Sequence, residues 1–429
     1  MPPRSRPIHR RRILQGAGAA ALAAALSACG LGDDPTVTAP ATDHRGDPLL
    51  PTVSKTPSPT ASPTRRATPT ATSTPTGEPF DSPLQSPLEP TATPSATSAP
   101  PTDTATPTAT PTPPPTPFPA GPPTRLGLFV AWYHPQIMEL VDTGNVSLLK
   151  TLELDPNFLA EVKARSPGTI IVGRVTLDQV ALGQADVAAE ARRAADAVRA
   201  EALDARRTGL VDAWEGFNEP VPGNEDEMRR LADLEAERVR LLAADGLRAV
   251  VGNFGTGQPP LEWWPAFRPA LEAAREHDGY LGLHEYAAPT IWHLTNREAL
   301  DFRASAGDEG WLTLRYRQVY RRFLQPWGLA LPLLITECGV DGLVTDRPGP
   351  SGGGWKDFAA YWAELGMGLD TAGNYVEQLA WYDSQLQLDD YVAGAAIFAM
   401  TAFQEWESYQ LLGDAASILR QYLSVHPPR

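Results

Sequence analysis

Val211-Asp212-Ala213-Trp214-Glu215-Gly216-Phe217-Asn218-Glu219-Pro220 is a short apolar run that stops at Asn-Glu-Pro. It reads as a buried strand over Val211 to Phe217. Leu333-Leu334-Ile335-Thr336-Glu337 reads the same way and also closes on a glutamate. Working outward from these two, similar runs recur at Leu126–Trp132, Val146–Leu152, Thr169–Arg174, Arg248–Asn253, Gly279–His284 and Val392–Phe398, with Pro332–Glu337 containing the second glutamate. Of these, Val146–Leu152 is the weakest pattern. Long Ala/Leu/Glu/Arg stretches lie between several of them. Ala185–Arg207 and Glu225–Ala244 carry apolar residues at helical spacing with charges between. Strands alternating with helices imply parallel pairing. Eight such units predict an α/β fold, a closed (β/α)8 TIM barrel, more than an open doubly wound sheet.

The barrel takes up only the C-terminal part of the 429 residues. Residues up to 123 are crowded with Pro, Thr, Ser and Ala, and all Trp and Tyr lie beyond them. A tract such as Thr104-Ala105-Thr106-Pro107-Thr108-Ala109-Thr110-Pro111 has little apolar bulk to offset the entropy of ordering. It predicts a disordered, extended Pro/Thr/Ser-rich stalk over 30–123, ahead of the barrel domain at 124–429. The formal net charge of −15 argues against a nucleic-acid partner, whose phosphates nothing would neutralise.

At the N-terminus, His9-Arg10-Arg11-Arg12-Ile13-Leu14-Gln15 resembles the twin-arginine export motif. A weakly hydrophobic run follows, too short for a stable span. It closes on Leu26-Ser27-Ala28-Cys29, which resembles a bacterial lipobox. That resemblance implies a signal peptide over 1–29, lipidation of Cys29, and an exported monomer anchored to the membrane of the cell envelope. The second cysteine, Cys338, reads as a small core hydrophobe.

In a parallel barrel, active sites form at the C-terminal mouth of the strands. Glu219, at the end of strand four, and Glu337, at the end of strand seven, then share one mouth. Two carboxylates that converge on one bond suit glycoside hydrolysis. One gives the leaving oxygen a proton, and the other attacks the anomeric carbon or activates water.

On these residues the domain resembles the clan of retaining (β/α)8 glycoside hydrolases that includes many cellulases, mannanases, β-xylosidases and β-galactosidases. Its signature is an Asn-Glu pair closing strand four and a lone Glu closing strand seven. The resemblance implies that Glu219 is the general acid/base and Glu337 the nucleophile. It implies that Asn218 hydrogen-bonds the sugar 2-hydroxyl. His284-Glu285-Tyr286 is similar to the His-x-Tyr that ends strand six in several member families. This implies that Tyr286 donates to Glu337 and that His284 lines the sugar subsite. The clan's strand-eight Trp is missing: Phe398-Ala399-Met400 stands there, and Trp406 comes later in the loop. Trp406 and Trp132 are the candidate sugar platforms.

Arg174, at the end of strand three, could hold Glu337 or a substrate hydroxyl, or serve only as a salt-bridge partner. Tyr133, Trp263, Trp264, Trp292 and Trp355 also follow strands, where flat rings suit stacking on sugar faces. Packing of helices on the barrel competes for the same residues. No Gly-x-Gly-x-x-Gly follows a strand and no His-x-His ends one, so neither a cofactor nor a metal is expected. The function expected is cleavage of β-linked oligo- or polysaccharides outside the cytoplasm. The alternative is a catalytically silent barrel that binds envelope glycans, a reading weakened by the presence of both carboxylates.

Overall fold

The computed structural model describes residues 118–298 and 307–427. The segment 1–29 with Cys29, and the Pro/Thr/Ser tract as far as residue 117, lie outside the described residues. Phe118, the first described residue, packs on the domain: its ring meets Tyr422 edge-on at 5.2 Å. Gly121 N–H also donates to Val425 O at 3.1 Å.

Eight parallel strands close in sequence order into a barrel. They are β1 (Leu126–Val130), β2 (Leu148–Thr151), β3 (Ile170–Gly173), β4 (Ala213–Glu215), β5 (Ala249–Phe254), β6 (Tyr280–Ala287), β7 (Leu333–Val340) and β8 (Val392–Thr401). Each lies within or across a run read from the sequence, including the weak second one. The ends differ, and the difference matters for the site. β4 stops at Glu215, so Glu219 sits in the loop beyond it. β6 and β7 run three residues past His284 and Glu337, so both lie inside long strands.

Alternation along the strands sorts side chains between two apolar layers. Phe129, Leu148, Val172, Ala213, Val250, Tyr280, Leu334 and Ala396 fill the barrel interior. Their neighbours Leu128, Leu149, Ile171, Trp214, Val251, Leu281 and Ile335 pack outward with the helices. Each fully buried Leu, Ile or Val contributes about 1.5–3 kcal/mol by leaving water. Helices start where capping side chains meet the orphan N–H groups. Asp155 caps α2 (Pro156–Arg165), after α1 (Pro135–Val141); Asp186 caps α3 (Val187–Ala202). Asn224 caps α4 (Glu225–Ala243), whose first turn carries three acidic residues that favour the positive end of its dipole. α3 is shorter than the Ala185–Arg207 pattern, because the chain turns after Ala202 and exposes Leu203.

Two buried carboxylates tie the outer shell to the strands. Glu285, facing outward from β6, accepts from Leu314 N, Tyr316 N and the Tyr382 hydroxyl at 2.6 to 3.0 Å. Burial pushes it up to about 7 against these three donors. Asp383 accepts from Arg125 N and the Tyr422 hydroxyl, joining both ends of the domain, and burial pushes it up to about 6. Both groups are held above their unfolded values. Their contribution is therefore full below about pH 4 and is lost as pH rises through 6 to 7. Urea denaturation of the domain is expected to show stability falling from pH 5 to pH 8 by on the order of 3 kcal/mol. A profile that rises over this window contradicts the assignment.

Candidate active site

The parallel strands deliver a ring of polar side chains to one mouth. Lys150 comes from β2, Arg174 from the residue after β3, and Glu215 and Glu219 from the end of β4 and its loop. His284 and Tyr286 come from β6, and Glu337 from β7. The β6–β7 register places His284 beside Glu337, just after a bulge at Leu283/His284. Bulges re-aim side chains, and this one turns the His284 ring into the barrel mouth.

Glu337 is held on both oxygens. Its Oε1 accepts from Lys150 Nζ at 2.9 Å and lies 3.4 Å from Arg174 Nη1. Its Oε2 accepts from the Tyr286 hydroxyl at 2.8 Å, with His284 Nδ1 3.5 Å away. Burial by itself would raise this carboxyl. The fields of His284, Lys150 and Arg174 outweigh burial and hold it at about 2, so Glu337 is an anion throughout the physiological range. Burial, together with the same anion, pushes the Tyr286 phenol well above its ordinary value, so Tyr286 keeps its proton to donate.

Glu219 has a different environment. Its backbone is left-handed, with φ 45°, a conformation that costs a non-glycine residue about 1–2 kcal/mol and here swings the carboxylate off the strand direction. The Glu219 N–H is anchored on Asn253 O at 3.0 Å. Its Oε1 shares a 2.8 Å hydrogen bond with His284 Nδ1. Among the described residues no Lys or Arg nitrogen pairs with it. One oxygen of Glu219, one of Glu337 and a His284 ring nitrogen all lie within 4.8 Å of one another. Such a trio could hold a metal ion by proximity. The ammonium of Lys150 and the guanidinium of Arg174 already neutralise Glu337 and would oppose a second cation there. Asp341, just past β7, is a further buried carboxylate, pushed up to about 6 by burial and by the charge of Glu219 against the hydrogen bonds from Tyr409 and Leu343.

The residues singled out from the sequence fall into two groups. Arg174, Glu219, His284, Tyr286 and Glu337 are brought together directly. Asn218 sits beside Glu219; its Oδ1 is buried with no hydrogen-bond partner among the described residues, and its backbone oxygen accepts from Gln179. Trp132 and Trp406 flank the cluster at one remove. Trp132 packs on Phe403, and its backbone N–H and C=O both bond Thr401 Oγ1. Trp406 meets Phe398 edge-on at 5.8 Å, and Phe398 in turn stands 6.2 Å from the Tyr286 ring. Phe398 thus fills the strand-eight position, with Trp406 behind it. Trp264 and Trp355 are corrections. Trp264 is fully buried against Phe254 and Phe267, and Trp355 stacks on Tyr375, so both are core residues. Trp292 is covered by Arg297 at 3.9 Å.

Lys150 and Glu215 were not singled out. Lys150 Nζ bridges Glu337 and Glu215 Oε2, at 2.9 and 3.1 Å, with both residues essentially inaccessible. A usable signal was present: a lysine inside Leu148-Leu149-Lys150-Thr151 and a glutamate inside Ala213-Trp214-Glu215 are charges in strands buried on both faces.

No family model matches the chain, and no curated protein matches it. Among solved structures, a GH128 (subgroup II) endo-β-1,3-glucanase from Sorangium cellulosum is 19% identical. It covers 71% of this chain and 99% of its own, with a TM-score of 0.41. A GH128 (subgroup I) endo-β-1,3-glucanase from Amycolatopsis mediterranei, in complex with laminaritriose, is 15% identical over 70% of this chain and 99% of its own, at 0.40. A Bifidobacterium dentium β-glucuronidase complexed with coumarin-3-O-glucuronide is 14% identical over 70% of this chain and 46% of its own, at 0.43. Likeness at this level assigns no function, and the chemistry rests on the residues themselves.

Removing Lys150 takes away one of the cations that hold Glu337 ionised. In the Lys150→Met variant the Glu337 carboxyl is expected to titrate about one unit or more higher, followed by carboxyl 13C NMR with Glu337→Gln to assign the resonance. An unchanged titration would remove Lys150 from the control of Glu337.

Proposed function

We propose that the domain is a retaining glycoside hydrolase acting on β-linked glycans, carried outside the cytoplasm on a lipid anchor at Cys29. The observation that supports the chemistry most is the asymmetric carboxylate pair. Glu219 and Glu337 approach within 4.8 Å, oxygen to oxygen, at one barrel mouth. Retaining enzymes keep their carboxyl groups about 5–5.5 Å apart, and inverting ones about 6.5–9.5 Å to admit a water. Glu337, clamped by cations and held as an anion, fits the nucleophile. Glu219, without a Lys or Arg partner among the described residues, fits the group that takes and returns a proton.

In the first step an oxygen of Glu337 bonds the anomeric carbon while the leaving oxygen departs with its electron pair and takes the proton of Glu219. In the second, Glu219 accepts a proton from water, whose oxygen displaces Glu337. Tyr286 keeps Glu337 oriented, and the Asn218 side chain, whose Oδ1 has no hydrogen-bond partner among the described residues, turns to bind a sugar hydroxyl once substrate enters. Phe398, half-buried beside Tyr286, takes the part of the sugar platform, with Trp406 and Trp132 supporting the rim.

The reading is tested on the soluble domain with aryl β-glycosides of graded leaving-group ability, alongside β-glucan, mannan and xylan. Glu337→Ala is expected to lose at least about 10⁴-fold in kcat/KM on every substrate. Glu219→Ala is expected to lose about 10²–10⁴-fold on poor leaving groups and far less on dinitrophenyl glycosides, which depart without a proton. Wild-type turnover by Glu337→Ala, or equal loss across leaving groups in Glu219→Ala, would contradict the roles assigned.

A further inference from the structure

The double-displacement reading leaves the buried carboxylate of Glu215 without a role. We propose that Glu215 is a positioning residue, the standing counter-ion that keeps Lys150 paired while Glu337 is esterified. The inference rests on the assignment of Glu337 as nucleophile.

Lys150 has no access to water: its side chain is 0% exposed, and its two charged neighbours are Glu337 at 2.9 Å and Glu215 at 3.1 Å. Its remaining surroundings include the Phe129 ring, 5.4 Å from Nζ. When Glu337 bonds the anomeric carbon, its carboxylate becomes a neutral ester. The ammonium beside it would then be a buried, unpaired charge, which is among the costliest states a protein interior can hold. Glu215 takes no part in the bond exchange, so it remains an anion beside Lys150 throughout. Neither of its oxygens has a hydrogen-bond partner among the described residues, so the 3.1 Å ion pair with Lys150 is the charged contact its carboxylate makes there.

The charges balance at both ends of the step. Before it, Lys150 and Arg174 are offset by Glu215 and Glu337, while Glu219 carries the proton. After it, the proton has left with the aglycone, Glu337 is an ester, and Lys150 and Arg174 are offset by Glu215 and Glu219. The summed charge of these five side chains is therefore the same, zero, before and after the step. Arg174 is less dependent on this balance, because its side chain is 14% exposed and solvent reaches it. Lys150 depends on Glu215 alone. A pair placed only to fasten β2 to β4 would need no contact with Glu337, and Lys150 makes that contact through the same nitrogen.

The test is stopped-flow hydrolysis of the dinitrophenyl β-glycoside that the wild type turns over fastest, comparing Glu215→Gln, Lys150→Met and the double variant. Glu215→Gln is expected to lower kcat/KM, which reports ester formation, by about 100-fold, and to shrink the burst of released dinitrophenol. In the Lys150→Met background the same change is expected to matter by less than about threefold, because there is no ammonium left to pair. That comparison holds even where Glu215→Gln alone folds poorly. Glu215→Gln with wild-type kcat/KM and burst, or a full further loss in the double variant, overturns the inference and leaves the nucleophile assignment standing. A wild type that turns over no aryl glycoside overturns both.

Discussion

The site depends on keeping one carboxylate ionised where water barely reaches. Glu337 lies inside β7, and burial alone would neutralise it. The fields of His284, Lys150 and Arg174 prevent that, and Tyr286 donates to the second oxygen. Each of those partners comes from a different strand or strand end, so the arrangement exists only when the barrel is closed. Register errors in β2 or β6 would move Lys150 or Tyr286 to the helix-facing side, because side chains alternate across a strand. The geometry of the fold and the ionisation of Glu337 are in that sense one constraint.

The two glutamates differ because their backbones and neighbours differ. Glu337 sits inside β7, at a shift in its register against β8, among cations. Glu219 sits past the end of a three-residue strand, in a left-handed conformation, against a histidine. The short β4 is part of this device. Glu215 ends it pointing into the barrel beside Lys150, and four residues later the chain has turned enough to aim Glu219 at the same mouth. One sequence stretch thereby supplies both the carboxylate that faces His284 and the carboxylate that balances the lysine.

Much of the architecture was legible in the sequence because strands buried on both faces read as continuous apolar runs, and all eight of those runs hold strands. Glu219 and Glu337 were legible because each interrupts an apolar run at its C-terminal end. Lys150 was missed for the opposite reason. It lies in the weakest run, and a single lysine there reads as a break in the pattern rather than as an inward-facing charge. Trp264 and Trp355 were misplaced because position after a strand does not tell which way a ring points. Their burial is set by contacts with Phe254, Phe267 and Tyr375, which position along the chain does not reveal. The Phe398 site shows the same limit, since its closeness to Tyr286 follows from the closure of β8 against β7 and β1.

The most direct measure of the central claim is the stereochemistry of the first product. Proton NMR of the anomeric region, recorded in the first minutes of aryl β-glycoside hydrolysis and before mutarotation, distinguishes the two outcomes. Attack by Glu337 followed by water inverts the anomeric carbon twice, so the β-hemiacetal must appear first. An α-hemiacetal as the first product would mean that water attacks directly, and that Glu337 never bonds the sugar.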